Sequence, residues 1–142
     1  GTGNLNNITT GWVSVTLPTS PSGQTSSSIV SNIVDIKIAG RYSAIILYKD
    51  AEGKGKLLVS GYNAYGQLGL GDTQNRDTFQ HVVLGPDDIK EVFIMSGYND
   101  DTSHLTVLVR DDNGNLWHTG YSNYYLTGRQ NNHRTNFDRI KL

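Results

Sequence analysis

Short apolar runs, each closed off by turn-forming residues, organise this chain. Ile33–Ala39 and residues 44–48, 57–59, 92–95 and 105–109 are the main ones. None sustains a 3.6-residue period, and Gly, Asn, Asp or Ser bounds each, so the pattern predicts β-strands. Asp112, Asn113, Gly114 and Asn115, between two apolar pairs, predict a tight hairpin turn. Its counterpart earlier in the chain reads as a longer loop over residues 50–56. Residues 61–84 combine four closely spaced glycines with aromatic, amide and leucine positions and then an apolar stretch, which predicts tight backbone turns leading into a strand.

The chain overlays on itself. Residues 1–17 match residues 69–84 with one insertion, pairing Trp12 with Phe79 and Leu17 with Leu84. Residues 128–142 match residues 71–84 in the same way, pairing Phe137 with Phe79 and Ile140 with Val82. Residues 35–48 match residues 88–109 across a five-residue interruption at 98–102, which sets His104-Leu105 on Tyr42-Ser43. The expected organisation is one domain over 1–142: a partial repeat tail at 1–17, repeat one at 33–85 and repeat two at 86–142. One such unit cannot bury its apolar face alone, so stacked neighbours are expected. Residues 19–28 read as a low-complexity insertion.

Gly61, Asn63, the run Gly66, Gln67, Leu68, Gly69, Leu70, Gly71, Asp72 and Thr73, and Arg76 resemble the signature of the RCC1-type β-propeller repeat. Gly120 and Gly128 mark the matching positions of repeat two, where Tyr124-Tyr125-Leu126-Thr127-Gly128 replaces the glycine-rich run. Ser60 and Thr119 stand where the family carries Trp, and this resembles the divergent repeats of bacterial and phage surface proteins. The resemblance implies an all-β fold of propeller blades, two complete and part of a third. Propellers usually close with four to eight blades. A ring would therefore need a longer array or several chains, and a homotrimer would give six blades with the 1–17 tail free to finish a neighbour's blade. Family members act as exchange factors, chromatin-binding modules and protein inhibitors, without chemistry in the propeller.

Composition narrows the functional classes. Gly, Asn, Ser and Thr supply more than a third of the chain, a turn-rich β composition. Net charge is −1 with no basic cluster, so no nucleic-acid or anionic-lipid footprint is present. No transmembrane run or signal peptide is found, and the missing initiator Met together with the start inside a repeat reads as a piece of a longer protein. Cysteine is absent, which removes disulfide and thiol chemistry. His81, His104, His118 and His133 lie at no metal-ligand spacing and read as structural or surface residues. The pairs Asp87-Asp88, Asp100-Asp101 and Asp111-Asp112 are candidate carboxylate pairs, with Asp100-Asp101 the best placed for a cation and Asp111-Asp112 better read as a turn. The glycine run lacks a following Gly-Lys-Ser/Thr, so it is no phosphate loop. No catalytic constellation, cofactor or metal is expected.

Tyrosines carry the remaining signal. Tyr62 and Tyr121 occupy equivalent repeat positions and read as packing residues. Tyr98, Asn99, Asp100, Asp101, Asn123, Tyr124 and Tyr125 break the repeat and are the candidate binding residues, since Tyr with Asn makes a rigid amphipathic contact surface. The expected function is a non-enzymatic binding or structural module of a phage tail fibre or other virion or bacterial surface protein, facing a protein or cell-surface glycan receptor. A purely structural fibre cap or oligomerisation domain, and an exchange-factor or inhibitor type of protein-interaction module, are the alternatives.

Overall fold

The structure, a computed structural model, describes residues 14–39, 42–96, 104–121 and 133–141. It is all-β apart from one short helix. The elements are α1 (Ser26–Ser31), β1 (Ile33–Ala39), β2 (Ser43–Lys49), β3 (Gly55–Gly61), β4 (Arg76–His81), β5 (Ile89–Ser96), β6 (Leu105–Asp111), β7 (Leu116–Gly120) and β8 (Arg134–Arg139). They form two four-stranded sheets in the orders β1-β2-β3-β4 and β5-β6-β7-β8, with every pairing antiparallel. Within each sheet consecutive strands pair, as is usual for strands joined by short turns. α1 begins inside the 19–28 stretch read as an insertion and runs three residues beyond it. Thr25 caps it by accepting the Ser28 N–H, and buried Ile29 anchors it.

The two sheets are built alike. Ser43 pairs with Gly61 and its hydroxyl donates to the Tyr62 carbonyl at 3.0 Å; Thr106 pairs with Gly120 and its hydroxyl donates to the Tyr121 carbonyl. Gly61 pairs with Arg76 and Gly120 with Arg134, which sets buried Phe79 and Phe137 at the same place in β4 and β8. This register corrects the sequence overlay by one residue: Ser43 corresponds to Thr106, not to Leu105. A one-residue slip would exchange the two faces of the strand.

The hairpin turns correspond as well. Asp50 Oδ1 accepts the Glu52 and Lys54 amides at 3.0 and 2.9 Å, and Asp111 Oδ1 accepts the Asn113 and Asn115 amides at 3.0 and 2.8 Å. The expected longer loop over 50–56 is therefore a turn of equal length, because Gly55 and Lys56 already belong to β3. Between the equivalent positions, sheet one has two more residues on each side of the turn, from Ser43 to Asp50 against Thr106 to Asp111 and from Asp50 to Gly61 against Asp111 to Gly120, and a two-residue step preserves which side chains face which way.

Cross-strand partners share a face, so each sheet has a front, marked by Ile45 and Val59 in sheet one and by Leu108 and His118 in sheet two, and a back. The front of sheet one packs on the back of sheet two. Ala39, Ile45, Leu47, Leu57 and Val59 meet Val92, Val107, Val109 and Phe137 in one shared core. Burying each of the larger side chains contributes roughly 1.5–3 kcal/mol before conformational entropy is charged against it. Ile46, Tyr48, Leu58 and Phe79 on the back of sheet one make a second cluster under Leu17 and Ile29. Each described sheet takes its four strands from one continuous stretch. Residues 1–13 of the 1–17 tail lie outside the described residues.

Candidate functional site

The loop between β3 and β4 is folded by the residues that define the repeat signature. Buried Asn63 accepts the Leu68 N–H at 2.8 Å through its side-chain oxygen, and its amide donates to the Asp72 carbonyl at 3.0 Å. Gln67 accepts the Tyr65 N–H at 3.0 Å. Asp72 accepts the Gln74 N–H at 2.9 Å and pairs with Arg76 at 2.6 Å; Arg76, then the Gln74 amide, hold its carboxyl below the usual carboxylate range.

The folded loop then docks on sheet two. Leu68 is fully buried in the shared core, and the Gly71 N–H donates to the Thr135 carbonyl at 2.8 Å. The Thr119 hydroxyl lies 2.8 Å from the carbonyls of both Gly66 and Arg134. Two glycines are required here by geometry. Gly66 has φ of 76°, where a Cβ would stand 2.5 Å from the Arg134 carbonyl oxygen, and at Gly69 it would stand 2.5 Å from the Phe137 ring.

By fixing this loop, the network places Tyr65 at the centre of a group of rings. Its ring centroid lies 4.6 Å from His104, 4.9 Å from His133, 5.7 Å from Tyr121 and 6.3 Å from Tyr62. Tyr121 contacts His104 at 4.5 Å and His133 at 5.2 Å, and Tyr42 extends the group through Tyr62 at 6.3 Å. These residues flank the starts of β2, β6 and β8 and the ends of β3 and β7, so all lie at one end of the two sheets. Tyr42 and His133 are exposed and the other four are half-buried. The result is a surface of aromatic faces and edges bearing phenol and imidazole hydrogen-bonding groups, which suits apolar ring faces and polar groups together.

The opposite end carries a cleft of about 480 Å³ lined by Tyr48, Asp50, Lys54, Lys56, His81 and Asp87, among others. Its charges are already paired. Asp87 accepts Lys54 at 2.7 Å and Lys56 at 2.5 Å, and Lys54 foremost, then Lys56, brings its carboxyl down to about 2. His81 Nε2 donates to the Thr19 carbonyl at 2.9 Å, which leaves Nδ1 to accept the Tyr48 hydroxyl at 3.1 Å. Burial pushes the Tyr48 hydroxyl up to about 12, with Asp50 adding to the effect, and burial also lowers His81. This chain of bonds holds the N-terminal segment against β2 and β4, so both ring nitrogens of His81 are engaged.

The acidic pairs are likewise committed. Asp88 accepts the Gly55 N–H and Lys90, each at 2.8 Å. The oxygens of Asp111 receive four donors, with the Trp117 indole and Asn115 side chain on Oδ2, each at 2.9 Å. Burial raises the Asp111 carboxyl, yet the Asn115 and Trp117 bonds bring it below its ordinary range. No group of three or more metal-ligating side chains occurs among the described residues, and none of their helices is long and apolar enough to cross a membrane. His118 is buried on the front of sheet two, opposite to Trp117 as the strand alternation requires; burial lowers it, with Asp138 opposing, and its Nδ1 has no partner among the described residues.

Tyr98, Asn99, Asp100, Asp101, Asn123, Tyr124, Tyr125 and Gly128 lie outside the described residues. Of the residues that form the ring group, Tyr62 and Tyr121 stand out in the sequence as repeat equivalents. The meeting of Tyr65 with His104 and His133 does not, because it joins three stretches through the docked loop.

No family model and no curated protein matches the chain. The crystal structure of human WBSCR16 is similar in fold, with a TM-score of 0.57 and 21% sequence identity over 77% of this chain. The chain spans 25% of the length of that protein, and the likeness is one of fold alone.

Proposed function

We propose that the two sheets are RCC1-type propeller blades and that the chain is a non-enzymatic binding module, presenting its ring-lined end to a receptor on a cell surface. The blade reading is supported by two consecutive four-stranded antiparallel sheets packed front to back, and by the way the signature residues fold the loop that joins them. The binding reading rests on one observation. Tyr42, Tyr62, Tyr65, His104, Tyr121 and His133 gather at one end of both sheets, while the charges of the opposite cleft satisfy one another. Tyrosine and histidine faces stack on sugar rings or on partner side chains, and their polar atoms supply orientation. The fitting context is a virion or bacterial surface protein, with a host glycan or protein as ligand.

The test is binding of fluorescently labelled chain to intact bacterial cells, with soluble polysaccharide from the same cells as competitor. Tyr65→Ala and Tyr121→Ala, and separately the Tyr124→Ala/Tyr125→Ala pair, should each lower binding at least tenfold with the β-sheet circular dichroism unchanged. Unaltered binding by all three variants, or no binding by the native chain, would overturn the reading.

A further inference from the structure

The hairpin turns of the two sheets share one bonding pattern and differ in one piece of chemistry. In sheet one the Gly53 N–H donates to the Asp50 carbonyl at 3.0 Å, and Gly53 has φ of 79°. In sheet two the Gly114 N–H donates to the Asp111 carbonyl at 3.1 Å, and Gly114 has φ of 81°. The residue before the glycine is Glu52 in the first turn and Asn113 in the second, and Asn113-Gly114 is the single Asn-Gly step of the chain. Both of its residues are exposed, and a Cβ at Gly114 would meet nothing within 4 Å, so base and water reach the main-chain nitrogen freely. The side-chain amide of Asn113 donates to the exposed Asp112 carboxylate at 3.0 Å.

We infer that Asn113 is a site of spontaneous deamidation that remodels the turn of sheet two. The Gly114 main-chain nitrogen, on losing its proton, attacks the side-chain carbonyl carbon of Asn113. The new C–N bond closes a five-membered succinimide, and the C–NH2 bond breaks to release ammonia, which takes up the proton. Water then opens the ring at either carbonyl to give aspartate or isoaspartate, so one water enters and one ammonia leaves. Glycine leaves the attacking nitrogen unshielded. The 3.1 Å bond that must break lies in an exposed turn, where opening costs little. Glu52 has no amide to lose, so the twin turn stays as it is.

The product sets a third carboxylate beside Asp111 and Asp112 and turns the contact between residues 112 and 113 into a repulsion. Isoaspartate also inserts a carbon into the main chain between the amides of residues 113 and 115, which Asp111 Oδ1 holds at 3.0 and 2.8 Å. Asp111 Oδ2 holds the Trp117 indole, so a loosened turn is felt in β7. The turn lies at the end of sheet two away from the ring group, and the chemistry is independent of ligand binding there.

Peptide mapping by mass spectrometry, on the full chain held at mildly alkaline pH, tests it. The peptide containing Asn113 should gain the mass of an NH2-to-OH exchange and split into two chromatographic isomers. It should do so ahead of every other asparagine-containing peptide, and faster as pH rises. Asn113→Gln should lose that gain. Glu52→Asn, which writes the same step into the twin turn, should acquire it at position 52 at a similar rate. The modified chain, separated by anion exchange on its extra charge, should show a displaced Trp117 indole N–H resonance. An Asn113 peptide of unchanged mass, a Glu52→Asn chain inert at position 52, or a Trp117 resonance unmoved by the modification would overturn the proposal.

Discussion

The Thr119 hydroxyl and the Gly66 carbonyl, 53 residues apart, meet at 2.8 Å in the buried seam between the two sheets. The glycine-rich loop of repeat one therefore acts as the lock that seats sheet one on sheet two. Gly66 has left-handed backbone geometry and faces the Arg134 carbonyl. Gly66→Ala should lower stability by about 2–4 kcal/mol, through strained φ and a forced shift of β8. Thermal or urea unfolding measures it.

Asn63 organises the loop before it docks. Asn63→Ala leaves the buried Leu68 N–H without its acceptor and frees the Asp72 carbonyl. The expected cost is about 2–3 kcal/mol. Replacing exposed Gln80 on β4, whose described side-chain bond is to Thr78, should change stability by under about 0.5 kcal/mol, and the same unfolding series compares the two.

Stability should fall on mild acidification. His81 and His118 both have folded proton affinities lowered by burial. A lowered histidine value means that the unfolded chain takes up protons first. Their contribution is complete above the unfolded value of about 6.5 and is lost as pH falls from there toward the folded values. The Tm should drop between pH 7.5 and 5. His81→Gln should flatten that drop while lowering the Tm at pH 7.5, because the bond from Tyr48 to Nδ1 is altered. An identical pH slope in the variant would count against His81 as a source.

The ring group should behave as one packed unit. Tyr65 touches His104, His133, Tyr121 and Tyr62, so Tyr65→Leu should move the imidazole proton resonances of both histidines toward unstacked positions. Each aromatic pair contributes on the order of 1 kcal/mol beyond buried area, and the partial exposure here sets a stability loss of about that size. Histidine resonances unchanged by the substitution would show that the rings are not in contact.

Much of the fold is legible in the sequence because the turns are. Asp111-Asp112-Asn113-Gly114 names its hairpin, and the fixed offset from Arg76 to Phe79 and from Arg134 to Phe137 marks equivalent strands. The one-residue error at Ser43 has a physical source. β2 and β6 are buried on both faces over most of their length, so their apolar runs lack the alternation that fixes register. The start of β3 is hidden for a related reason: Gly55 and Lys56 look like loop residues and pair as strand, while its centre at 57–59 reads as a strand. The ring group was half-visible: Tyr62 and Tyr121 recur with the repeat, whereas His104 and His133 reach Tyr65 only after the loop has docked.

The loop organised by Asn63 seats sheet one on sheet two, and the amide of Gly71 reports on that seating most directly, because its N–H donates to the Thr135 carbonyl across the seam at 2.8 Å. Amide hydrogen exchange should find Gly71 strongly protected in the native chain and exchanging much faster in Asn63→Ala, which removes the acceptor of the Leu68 N–H. A Gly71 amide that exchanges without protection in the native chain would contradict the docked loop.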